Sequence, residues 1–75
     1  MKYCVITFHS THHALQAEKA AKETGISFKL IAPPRQFSAN CGIAICTEWK
    51  DRETMKTLLQ EKHIPHDTFH DWTIQ

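Results

Sequence analysis

Strand-like and helix-like patterns follow each other in the order β-α-β-β-α-β within 75 residues. Four short runs rich in β-branched and aromatic residues are separated by two longer segments with helical spacing. In a chain of this length, that order is typical of a ferredoxin-like α/β fold, an α+β two-layer sandwich whose two helices cover one face of a four-stranded antiparallel sheet. We therefore expect residues 1–75 to form one such domain, with the strand order 4-1-3-2.

The first half of the chain predicts a strand over residues 2–8 and a helix over residues 11–24. Ser10 has a side chain suited to capping the start of this helix, and Gly25 stands where a glycine commonly ends one. The helix carries small residues on one side, which lets it lie close to a sheet. One face of the strand, expected to meet the helices, carries Cys4, Ile6 and Phe8.

The second half predicts strands over residues 27–32, 43–49 and 68–74, and a helix over residues 52–62 capped by Asp51. Cys46 is expected on the sheet face opposite the helices, together with Val5, Ile31 and Ala44. An apolar open face of this kind favours a homodimer formed through the sheet.

A ten-residue loop, residues 33–42, lies between the second and third predicted strands. The doublet Pro33-Pro34 ends strand pairing, and Gly42 permits a positive φ or a close approach of another chain or ligand. The predicted topology brings this loop to the same sheet edge as the turn at His9 and Ser10. The thiol of Cys41 is therefore expected to be presented at that edge.

Several groups near this edge favour the thiolate form of a cysteine. The helix N-terminus that begins after Ser10, the guanidinium of Arg35, and His9 or His13 would each lower the pKa of Cys41. The alternative is that Cys41 packs as a small hydrophobic residue.

Composition excludes several other functions. A net charge of +1 gives no electrostatic case for nucleic-acid binding, and no apolar run is long enough to predict a membrane span or a signal peptide. Three cysteines without a CxxC pair fit a reducing compartment, so we expect a cytoplasmic protein. No pattern indicates a cofactor.

Two other functions stay open at this point. Six histidines suggest a transition-metal site, with His9, His12 and His13 joining Cys41 as ligands, or with His63 and His66 as ligands. A non-covalent protein-interaction module is equally compatible with the loop, because no general base is evident.

The loop also carries a recognisable pattern. The residues Pro34-Arg35, Ser38 and Cys41-Gly42, together with the segment from Phe8 to His12, resemble the DUF3343 family of small selenium/sulfur carrier-like proteins. The resemblance covers nearly the whole chain and implies a carrier rather than a stand-alone enzyme.

In such a carrier, Cys41 would hold transferred sulfur or selenium as a persulfide-type adduct. A donor protein and an acceptor protein would be the partners of the carrier. Arg35 would pair with the anionic adduct, with a carboxylate of a partner or with a phosphate, or would be a solvated loop cation. Ser38 and Asn40 would donate hydrogen bonds to the adduct or serve only to make the turn. Gly42, His9 and Ser10 complete the expected site.

Overall fold

The computed structural model describes residues 1–37 and 42–73 and contains the six predicted elements in the predicted order. Strands β1 (Lys2–Thr7), β2 (Phe28–Ile31), β3 (Ala44–Glu48) and β4 (Phe69–Thr73) form the sheet, and α1 (Thr11–Thr24) and α2 (Arg52–Glu61) are the helices. A short 3-10 helix, Trp49–Asp51, leads directly into α2. Strands β1, β2 and β3 are shorter than predicted by one or two residues, and β4 begins one residue later than predicted.

The sheet has the order β2-β3-β1-β4, and every neighbouring pair is antiparallel. This is the predicted 4-1-3-2 order, so the ferredoxin-like fold is confirmed. Thr7 lies opposite Ala44, which in turn lies opposite Ile31. The carboxyl ends of β1 and β2 and the amino ends of β3 and β4 therefore share one sheet edge, as the sequence predicted.

The bounds of α1 are those predicted, because both of its ends are capped. The hydroxyl of Ser10 accepts a hydrogen bond from the backbone N–H of His13 at 3.3 Å. Gly25 adopts φ 84°, and its N–H reaches the carbonyl of Ala21 at 3.0 Å. A residue with a Cβ is strained at this φ, which explains the glycine.

The main core lies between the helices and one face of the sheet. Fully buried alanines let α1 sit close to the strands, and α2 adds larger apolar side chains. The buried members are Cys4, Ile6, Phe8, Ala14, Ala17, Ala20, Ala21, Ile45, Met55, Leu58, Leu59 and Ile64. Cys4 therefore faces the helices, as expected.

Two details of α2 differ from the prediction. Asp51 makes no side-chain capping bond, because the 3-10 helix continues into α2 and gives Asp51 a near-helical backbone, φ −94° and ψ 3°. The capping role requires the extended backbone that Ser10 has at the start of α1. Lys62 lies just beyond the helix and is exposed.

The sheet face opposite the helices is closed at one end and open at the other. Val5, Thr7 and Ala44 are fully buried on it, although no helix covers them. Toward the other end, Cys46 is only half-buried beside Tyr3 and Trp72, whose rings are 6.5 Å apart. The prediction of a uniformly open apolar surface is therefore wrong for Val5 and Ala44, which are not accessible to a second copy of the chain.

Candidate functional site

Part of the predicted site lies on the segments that follow β1 and β2 and precede β3. His9, Ser10, Arg35 and Gly42 are described, whereas Ser38, Asn40 and Cys41 lie outside the described residues. The described flanks of the site are residues 33–37, which form the loop arm preceding Cys41, and the sheet edge at the end of β1.

The loop arm, residues 33–37, ends in a tight turn. The N–H of Phe37 donates to the carbonyl of Pro34 at 2.9 Å, which places Arg35 and Gln36 at the two central turn positions. Both are exposed. Among residues 1–37 and 42–73, no carboxylate forms an ion pair with Arg35. The guanidinium is thus available to an anion near the loop.

The loop arm does not project from the edge but folds back across the sheet. The ring of Phe37 stacks on that of His70, with centroids 4.2 Å apart and an angle of 16° between the planes. His70 is on β4, three strands from β2 in the sheet, or about 14 Å at the usual strand spacing. The chain between Ile31 and Phe37 therefore extends from β2 at one side of the sheet to β4 at the other.

Beneath this crossing lies a polar cluster that the sequence did not predict. The hydroxyl of buried Thr7 lies 3.3 Å from Asp67 Oδ2, 3.3 Å from His70 Nε2 and 3.3 Å from the backbone nitrogen of Thr68. The N–H of Asp67 also donates to the Thr7 carbonyl at 2.7 Å. The sequence signal for this cluster was Thr7, a polar residue at the end of an apolar strand.

Two further histidines approach the same carboxylate or its neighbours. His9 Nε2 lies 3.7 Å from Asp67 Oδ1, and the ring of His66 meets Phe69 edge-on at 4.8 Å. Burial lowers the pKa of His66, nearby Lys56 and His9 lower it further, and Asp67 opposes the shift. His66 is therefore neutral near physiological pH.

The metal-site alternative finds no support in the described part of the chain. Within residues 1–37 and 42–73, no group of three or more His, Cys, Asp or Glu side chains is arranged to hold a metal ion. His12 and His13 are neighbours, with ring centroids 5.9 Å apart, but the other edge histidines do not join them in such a group.

Gly42 lies in open space at the end of the loop. Gly25 is the glycine with positive φ among the described residues, and a Cβ built on Gly42 would meet no described atom within 4 Å. Gly42 is exposed. This open space is compatible with the expected approach of a partner or ligand at Gly42.

The two described cysteines, Cys4 and Cys46, both have thiols whose pKa is raised, which disfavours their thiolate forms. Burial raises the pKa of Cys4 to about 11, although nearby Arg52 partly opposes the shift. Burial also raises the pKa of Cys46, with Lys29 opposing it. Because the unfolded thiol ionises near 9.0, the stability that Cys4 contributes is complete below that pH and is lost as the pH rises toward 11.

Limited alkylation of the native protein at about pH 8 should label Cys41 before either strand cysteine, because burial raises the pKa of both Cys4 and Cys46 and so disfavours their reactive thiolate forms. Peptide mass spectrometry after quenching gives the labelling order. The same reaction in denaturant, where all three thiols are exposed, is the control. Equal native labelling of Cys4 and Cys41 would contradict this order.

Comparison with known proteins identifies a family for this chain. Neither described helix has the length and apolar character needed to cross a membrane. No curated protein and no solved structure matches the chain. A family model described as "Putative Se/S carrier protein-like" matches residues 3–71, which include the loop and all four strands but for the ends of β1 and β4. The chain therefore belongs to this Se/S carrier-like family, the one that its loop pattern resembles.

Proposed function

We propose that this protein is a small carrier that accepts sulfur or selenium on Cys41 and passes it to an acceptor protein. The observation that carries the proposal is the family match, which extends across the loop containing Cys41. The raised pKa values of Cys4 and Cys46 support it, because they leave Cys41 as the thiol best suited to nucleophilic attack. The reducing cytoplasm is the proposed location.

The transfer is an exchange without net oxidation. The Cys41 thiolate attacks the outer sulfur of a persulfide on a donor protein, the donor's S–S bond breaks, and the donor thiolate leaves with the bonding electrons. A new S–S bond then joins Cys41 to the transferred sulfur, which keeps its proton or ionises. Attack by an acceptor thiolate on that outer sulfur regenerates Cys41. Selenium would follow the same path through an S–Se bond.

Arg35 is the proposed anchor for the anionic adduct. It is an exposed cation six residues before Cys41 in sequence, at a turn that holds it on the loop arm. A perthiolate is an anion at neutral pH, and a nearby guanidinium stabilises it. The reaction needs no enclosed substrate pocket, because the donor and acceptor proteins bring the reacting atoms to an exposed loop.

Arg35→Ala should slow sulfur loading from a polysulfide donor by roughly 1.5-fold to fivefold, the range expected when an exposed anion loses one cation. The melting temperature should stay nearly unchanged, because an exposed loop cation contributes little stability. Intact-mass spectrometry over time measures the loading rate.

Lys19→Ala is the matched control, since it removes the same charge from the exposed side of α1. If the loading rate falls equally in both variants, the effect of Arg35→Ala comes from the change in net charge and not from the position of Arg35 on the loop. A chain that never acquires sulfur, yet binds a partner through this loop, would move the assignment to the non-covalent interaction module.

A further inference from the structure

The hydroxyl of Thr7 determines how the His70 ring is held. A hydroxyl has one proton and two acceptor lone pairs. The N–H of Thr68, at 3.3 Å, occupies one lone pair, and the carboxylate of Asp67, also at 3.3 Å, is the strongest acceptor for the proton. His70 Nε2 lies 3.3 Å from the same hydroxyl. The ring is therefore held by a polar contact with Thr7, a fully buried residue of the neighbouring strand β1.

The face of this fixed ring is where the loop arm is attached. Phe37 stacks nearly parallel on His70 at 4.2 Å, and its own N–H closes the turn to Pro34 at 2.9 Å. The turn and the stack together convert the loop arm from a free connection into a segment tied to β4. A loop that is attached at an intermediate residue has a shorter unattached segment. Less conformational entropy is then lost when the loop takes one conformation.

We propose that the Phe37–His70 stack is a clasp that positions the cysteine loop, and that His70, held by Thr7 and Asp67, is a positioning residue for sulfur transfer. The inference rests on the proposed function for its catalytic consequence. The attachment itself rests only on the contacts among Thr7, Phe37, Asp67 and His70. Neither Phe37 nor His70 belongs to the core on the helix side of the sheet. Removing either ring is therefore expected to release the loop arm and to leave that core intact.

Trypsin provides a readout of the clasp that is independent of sulfur chemistry. The bond between Arg35 and Gln36 lies in the exposed turn, two residues from the stack, and a protease needs the segment extended away from the sheet. Cleavage there gives fragments 1–35 and 36–75, which mass spectrometry identifies. His70→Ala and Phe37→Ala should each speed this native-state cleavage by roughly threefold to tenfold, the range that corresponds to loss of one stacked pair.

Three comparisons separate a clasp from a general loss of structure. The double variant should be cleaved no faster than either single variant, because both remove the same contact. His70→Phe keeps an aromatic face and should restore most of the protection. Trp72→Ala removes a ring from the same strand and face, but one that contacts Tyr3, and should leave cleavage at residue 35 unchanged.

Loading of Cys41 should follow the same order among the variants, with slower loading wherever cleavage is faster. Unchanged cleavage in both alanine variants, or additive effects in the double variant, would overturn the clasp. Faster cleavage with wild-type loading would overturn the positioning role. If the wild-type chain takes up no sulfur, the proposed function and the positioning role both fail, while the cleavage rates still decide whether the stack holds the loop.

Discussion

Cys41→Ser is expected to abolish loading of the protein by a persulfide or polysulfide donor. A serine hydroxyl is not ionised at neutral pH and forms no stable adduct with sulfane sulfur, so the attacking group is lost. The remaining thiols do not substitute for it, because burial raises the pKa of both Cys4 and Cys46. Intact-mass spectrometry should show the wild-type chain gaining about 32 Da and the variant gaining nothing.

Two matched cysteine variants show whether the loss is specific. Cys46→Ser changes a half-buried strand thiol, and Cys4→Ala avoids placing a hydroxyl in the apolar core where Cys4 is fully buried. Both should load like the wild type if their melting curves show that they fold. Loading that survives in Cys41→Ser but disappears in Cys46→Ser would transfer the proposed chemistry to the sheet face.

Phe8→Ala should lower the free energy of unfolding by about 3–5 kcal/mol, the usual cost of removing a fully buried phenylalanine ring. Phe8 is the largest fully buried side chain and lies just after β1, between the sheet and the helices. Domains of this length typically have a free energy of unfolding of only about 4–11 kcal/mol, so the variant should lose a large share of its stability. Denaturant unfolding followed by tryptophan fluorescence measures the change.

Leu15→Ala is the control for this prediction. Leu15 is on α1 but is 46% exposed, and truncating it should change stability by no more than about 0.5 kcal/mol. Similar losses in the two variants would mean that the ring of Phe8 is not at the centre of the core.

The fold was largely predictable because its signals are local. Ser10 and Gly25 determine the ends of α1, and the alternation along β1 separates Cys4 and Ile6 from Val5. The strand order follows from the element order through a general topological preference. Asp51 shows where local reasoning fails, since the capping residue type is present but the preceding 3-10 helix removes the backbone geometry that capping needs.

The site was predictable only in part, because its cluster depends on contacts distant in sequence. Alternation places Thr7 and His70 on the face opposite the helices, but it gives no information about what covers that face. The stack joins Phe37 to a ring 33 positions later in the chain, across three strands. Neither residue type predicts this contact, because histidine and phenylalanine occur in many other settings.

The most direct test of the carrier function is to locate the transferred sulfur in the wild-type chain. Trypsin releases residues 36–50 as one peptide that contains both Cys41 and Cys46, so fragmentation between the two cysteines is required. After treatment with a persulfide donor and blocking of free thiols, the added mass of about 32 Da should lie on Cys41 and should disappear when an acceptor thiol is supplied. An adduct on Cys46, or one on Cys41 that no acceptor thiol removes, would contradict the carrier function.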